Sequence, residues 1–185
     1  MNASGSNKVP GSSLPKLSLV LGGAASGKSR FAEGLVTGSG LAPVYIATAQ
    51  VWDAEMAAKI AAHRADRGAG WHTIEEPVAI ADALTGLKPS QAVLVDCATL
   101  WLSNLILAEA DLGIAETALL KALADCPAPV VIVSNEVGQG IVPDNALARR
   151  FRNAQGMLNQ RIAAQAGLVV LVAAGLPLIL KGALP

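Results

Sequence analysis

The run Gly22-Gly23-Ala24-Ala25-Ser26-Gly27-Lys28-Ser29 constrains the fold of this chain more than any other segment. It satisfies G-x-x-x-x-G-K-[ST], the spacing of a phosphate-binding loop. Such a loop works only between a strand and a helix, and the sequence predicts both. Leu17-Ser18-Leu19-Val20-Leu21 reads as a short buried strand, and Arg30 to Leu35 reads as the first turns of a helix. Between them the glycines let the backbone curl until several N–H groups point at one centre. The positive end of the helix adds to that field. In this frame Lys28 reaches the β- and γ-phosphates of a nucleotide, and the Ser29 hydroxyl sits on Mg²⁺. The competing reading is a glycine turn with a chance lysine.

Strand and helix patterns alternate through the rest of the chain. Strands are expected at Pro43–Thr48, Trp71–Ile74, Ala92–Asp96, Pro129–Ser134 and, last, Leu168–Val172. Helices are expected at Asp53–Asp66, Val78–Leu87, Thr99–Ala110 and Ile114–Ala124. A long helix is expected from a first turn at Pro143 to about Ala166, with Leu147, Phe151, Leu158 and Ile162 on its buried side. The alternation predicts an α/β, P-loop NTPase-like three-layer sandwich with a mostly parallel sheet and helices on both faces. Residues 1–16 are polar and rich in Ser, Gly and Asn, and read as a flexible tail. Residues 17–185 read as one catalytic domain.

Composition narrows the partners. Acidic and basic residues number 14 each, so the net charge is zero, and no basic stripe argues for nucleic acid. Hydrophobic residues make up 52% but aromatics only 3%, which is the Val/Ile/Leu/Ala core of a buried parallel sheet. The apolar stretch Leu168–Leu180 is interrupted by Gly175 and Pro177 and is too short for a membrane span. Two cysteines, two histidines and no signal-peptide pattern argue against a zinc site or a disulfide framework, and a cytoplasmic location is expected.

Three further groups of residues carry chemistry. Asp96 closes an apolar strand; it is either a Mg²⁺ ligand opposite Ser29 or a helix cap. His63 lies three residues after Ile60 and seven after Met56, so on spacing alone it is a half-buried histidine beside the core. Arg64 and Arg67, however, favour its neutral, nucleophilic ring and offer donors to phosphate oxygens. Glu75-Glu76 are either solvated or available to a histidine or a ribose hydroxyl. Ser134 to Pro143, polar and carrying Gly138 and Gly140, follows a strand at the sheet edge where open α/β folds bind ligands.

Taken in order, these segments resemble the bifunctional adenosylcobinamide kinase/adenosylcobinamide-phosphate guanylyltransferases of cobalamin synthesis. The carrying segments are Leu21–Glu33, Tyr45–Ala49, Asp53–Met56 with Ile60, His63 and Arg67, Trp71–Glu75, Asp96–Leu105, Ser134–Pro143, and Leu147–Arg152 with Asn159–Arg161. The phosphate loop alone is generic; the ordered set is not. The resemblance implies phosphorylation of adenosylcobinamide by a nucleoside triphosphate, ATP or GTP. GMP then passes from GTP through an enzyme histidine to adenosylcobinamide phosphate. By position that histidine is His63. The implied nucleotide contacts are Gly22 to Ser29, Ala47, Thr48, Ala49, Arg64, Ala65, Asp66, Arg67, Glu75 and Asp96, and a homo-oligomer is implied as well. The family commonly has Arg where this chain has Ala25, so one cation beside the phosphates is missing. Two other functions fit the phosphate loop alone: a small-molecule kinase of another pathway, and a nucleotide-dependent switch.

Overall fold

The computed structural model describes residues 13–50, 57, 58, 61, 64, 65 and 67–185. His63 and Asp66 lie outside the described residues. The elements run β1 (Leu17–Gly22), α1 (Lys28–Gly38), β2 (Ala42–Ala47), β3 (His72–Glu75), α2 (Ile80–Thr85), β4 (Gln91–Asp96) and α3 (Ala98–Leu107). They continue as α4 (Leu112–Asp125), β5 (Val130–Asn135), α5 (Ala146–Gln165), β6 (Leu168–Ala173) and β7 (Leu176–Lys181). Ala57, Ala58, Ala61, Arg64 and Ala65 are helical, within the helix expected at Asp53–Asp66, and so is Arg67 just beyond it.

The strands form one seven-stranded sheet in the order β3-β2-β4-β5-β1-β6-β7. Every pairing is parallel except β6 with β7. Successive side chains on a strand point to opposite faces, so each central strand feeds two cores. Leu19, Ile46, Val93, Val95 and Ile132 pack with α2 to α5 on one face, and Val20, Tyr45, Leu94, Val131 and Val133 pack with Ala32 and Val36 of α1 on the other. The three-layer α/β arrangement expected from the alternation is therefore present. Among the described residues no helix is long and apolar enough to cross a membrane.

Four expectations are corrected. The polar tail does not reach Lys16: Leu14 is buried in the α1-side core, and the Lys16 carbonyl accepts a hydrogen bond from Val130 N–H at 2.9 Å. The long helix starts at Ala146, not at Pro143, because the Asn145 side chain caps it by accepting from Ala148 N–H at 2.7 Å. Leu147 is consequently exposed rather than core. Finally, Leu168–Val172 is not the last strand. Ala174 (φ 51°) and Gly175 (φ 78°) form a two-residue turn between the paired Ala173 and Leu176, and both positive φ values suit a type I′ hairpin. The returning β7 is an edge strand, which is where a proline such as Pro177 is tolerated.

Candidate nucleotide-binding site

Gly22 of the phosphate loop, Ala47, Glu75, Asp96 and Asn135 all close parallel strands at one end of the sheet. Parallel strands present their carboxyl ends together, and ligands bind outside those ends. Register fixes the sequence of groups along that edge. Glu75 aligns with Ala47, Ala47 with Asp96, Asp96 with Val133 on β5, and Asn135 with Gly22. Strand β5 therefore separates the phosphate loop from Asp96.

The loop itself is closely packed. A Cβ on Gly22 would stand 2.4 Å from Ser26 Oγ and 2.7 Å from the Val172 carbonyl oxygen, so only glycine fits. Gly27 has φ 90° and lies against the hairpin turn, where an added Cβ would meet Gly175 Cα at 3.2 Å. The Gly175 N–H donates to the Ser26 carbonyl at 2.9 Å. The β6–β7 turn thus buttresses the loop, a role that no sequence pattern announced. Lys28 Nζ donates to the Gly23 carbonyl at 3.0 Å, so the lysine arches back over the start of the loop. Ala25 has φ 52° at the exposed tip of the loop. A cavity of about 380 Å³ opens beside Gly23 to Ser26 and is closed by Glu136, Gln139 and Val172 among others.

Asp96 is not the helix cap. Cys97 holds that position, its Sγ accepting from Leu100 N–H at 3.5 Å. The Asp96 carboxylate instead receives the Tyr45 hydroxyl at 3.2 Å. Burial, and after it the Asp96 charge, pushes the Tyr45 phenol far above its ordinary range, so it remains a donor. The Arg67 guanidinium carbon lies 3.4 Å from the centre of the Tyr45 ring, and Trp71 meets the same ring edge-on at 6.1 Å. Arg64 pairs with Glu75 at 3.0 Å. Arg64, Arg67, Glu75 and Asp96 are thereby linked through β2 and β3, with Tyr45 as the centre that the sequence reading missed.

Thr48 is fixed at the sheet edge by its own hydrogen bonds. Its side chain is fully buried, and its hydroxyl both donates to the Cys97 carbonyl at 2.8 Å and accepts from Cys97 N–H at 2.7 Å. Asn104 Nδ2 then donates to the Thr48 and Pro77 carbonyls at 2.9 and 3.0 Å. Thr48 is a clamp between the ends of β2 and β4. Ala47 and Ala49, half-buried on either side, are held in place by it.

Residues 18–180 match the family model for cobinamide kinase / cobinamide phosphate guanyltransferase. The chain is 49% identical over 167 residues to the bifunctional adenosylcobalamin biosynthesis protein CobP of Pseudomonas aeruginosa, covering 89% of this chain and 96% of that protein. It is 44% identical over 179 residues to the bifunctional adenosylcobalamin biosynthesis protein CobU of Salmonella typhimurium, covering 88% of this chain and 98% of that protein. Among solved structures, the flagellar accessory protein FlaH of Methanocaldococcus jannaschii shares the fold alone, with a TM-score of 0.52 at 12% identity over 94% of this chain and 81% of that one. The chain belongs to the cobinamide kinase / cobinamide phosphate guanyltransferase family.

Proposed function

We propose that this protein phosphorylates the hydroxyl of adenosylcobinamide with ATP or GTP, and then moves GMP from GTP, through His63, onto adenosylcobinamide phosphate. The observation that carries the reading is the sheet edge itself, which gathers the phosphate loop, Asp96 and the Arg64–Glu75 pair in a chain that matches the family over residues 18–180. In the first half of the guanylyl transfer, a neutral imidazole nitrogen attacks the α-phosphorus. A P–N bond forms, the α–β P–O bond breaks and pyrophosphate leaves. In the second half, an oxygen of adenosylcobinamide phosphate attacks the same phosphorus. A P–O bond forms, the P–N bond breaks, and adenosylcobinamide-GDP results.

The residues around His63 support this role. Its sequence neighbours Arg64 and Arg67 are tied to Glu75 and Tyr45 at the ligand end of the sheet. A rival nucleophile, Cys97, is buried, and burial followed by the Asp96 charge pushes its thiol up to about 11, so it stays protonated at neutral pH. Incubation with GTP labelled at the α-phosphate should leave acid-labile, base-stable label on the protein. A kinase of another pathway or a nucleotide switch would retain none.

The donor set also fits Mg²⁺. The Ser29 hydroxyl and the Asp96 carboxylate are hard oxygen donors, and among the described residues no cluster of three His, Cys, Asp or Glu forms an all-protein cage. Mg²⁺ is held in this way by one or two protein oxygens together with substrate phosphates and water. When bound it neutralises phosphate charge. Asp96→Asn keeps an acceptor for the Tyr45 hydroxyl and removes the charge, so Mg²⁺-dependent nucleotide binding should weaken by about 10- to 100-fold. Binding measured in chelator should change far less. Titration calorimetry showing the same Mg²⁺ dependence in both proteins would remove Asp96 from the metal site.

The free thiols Cys97 and Cys126 suit a reducing compartment, and we place the enzyme in the cytoplasm. We also expect a homo-oligomer, because β7 leaves Leu176, Leu178 and Leu180 more than half exposed on an edge strand. Light scattering coupled to gel filtration should give a mass above 18.8 kDa at micromolar concentration; a monomer there would rule the assembly out.

A further inference from the structure

The two reactions ask different things of their acceptors. The kinase step uses an alcohol, whose proton has to leave as the new O–P bond forms. The guanylyl step uses a phosphate monoester, which is already ionised near neutral pH. A general base at the phosphate loop therefore serves the first reaction and is idle in the second.

We infer that Glu136 is the proton acceptor of the kinase step. Its backbone N–H donates to the Gly22 carbonyl at 3.1 Å, which ties it to the first glycine of the phosphate loop. Its side chain supplies the carboxylate among the residues that wall the cavity beside Gly23 to Ser26. One carboxylate oxygen, Oε1, accepts from Gly138 N–H at 2.6 Å, which fixes the orientation of the group. The strand end that delivers it is rigid. The Asn135 N–H donates to Thr99 Oγ1 at 2.7 Å, and Asn159 Nδ2 donates to the Asn135 carbonyl at 3.1 Å. Asn159 Oδ1 in turn receives the Ser134 hydroxyl at 2.6 Å and Gln155 Nε2 at 3.0 Å. Polar side chains that hold a strand end from two helices, α3 and α5, suit a base that has to stay placed.

The step balances. The acceptor oxygen bonds to the γ-phosphorus, the β–γ P–O bond breaks and the nucleoside diphosphate leaves. The alcohol proton passes to the Glu136 carboxylate, and from there to solvent after the product departs. Asp96 is less suited to this work, because it aligns with Val133 across β5 and its carboxylate is engaged by Tyr45.

The inference rests on the kinase activity proposed above, and the test separates the two. Glu136→Gln keeps an oxygen acceptor for Gly138 N–H and so keeps the loop. Phosphorylation of cobinamide should fall by about 10²- to 10⁴-fold in kcat. Formation of the GMP adduct, and its transfer to adenosylcobinamide phosphate supplied ready-made, should stay within about twofold. The acidic limb of the kinase kcat–pH profile should disappear, and Glu136→Asp should recover part of the rate. Kinase turnover by Glu136→Gln within about threefold of the parent would overturn the assignment. A parallel fall in both reactions, or a raised Mg²⁺ requirement in both, would overturn it in favour of a binding role. A parent protein that phosphorylates no cobinamide would refute the proposed function first, and this inference with it.

Discussion

Lys28→Ala should abolish or severely reduce both activities while leaving a folded protein. The lysine is half-buried, and its Nζ contacts the Gly23 carbonyl at 3.0 Å, a bond at the protein surface within its own loop. The loop pattern assigns its ammonium to the β- and γ-phosphates. On the proposal that both reactions bind their triphosphate in this loop, both should suffer. Losing one charge-stabilising donor typically costs about 10²–10³-fold in kcat. Stability should move by less than about 0.5 kcal/mol, as for a surface substitution. Cobinamide phosphorylation and GMP adduct formation, measured beside thermal unfolding, check all three. A folded Lys28→Ala protein with near-parental turnover would show that the loop does not hold the reacting triphosphate.

The strand–loop–helix of the phosphate site was readable because each part leaves a local mark: the glycines, the lysine and the apolar run of β1. The same holds for β4 and β5, whose Val-rich segments are buried on both faces and cannot be mistaken for amphipathic helices. The features that sequence could not supply are long-range. Tyr45 is an ordinary strand residue until parallel pairing sets Ala47 beside Asp96 and brings its hydroxyl to that carboxylate. The hydrogen bonds of the Thr48 hydroxyl to the end of β4 are likewise invisible until the two strands pair. Cys97, not Asp96, caps α3 although thiols are poor acceptors, because β4 runs through Asp96 and the helix begins at Ala98. β7 went unseen for a local reason. Pro177 and a run of exposed apolar residues match neither an alternating strand nor a buried one, and the edge position removes the need to match either.

His63→Ala should eliminate the protein-bound GMP and, with it, guanylyl transfer to adenosylcobinamide phosphate. A covalent carrier cannot be replaced by a neighbouring group that lacks a nucleophilic atom of the right pKa. Within the site the other candidates are poor. The Cys97 thiol and the Tyr45 phenol are both held protonated by burial. Phosphorylation of adenosylcobinamide needs a placed hydroxyl, the phosphate loop and a base, and on the assignments above none of these is His63. The kinase activity should therefore survive in part. If His63 is only a histidine beside the core, its loss should cost about 1 kcal/mol of stability and lower both activities together. Label remaining on the His63→Ala protein after incubation with α-labelled GTP would overturn the carrier assignment. Attention would then turn to His72, the other histidine of the chain. His72 is a weak substitute: it is exposed at the start of β3, three residues back from Glu75 and so roughly 10 Å from the ligand end of that strand. The expected result is accordingly a clean separation, with adduct and transfer gone and phosphorylation retained.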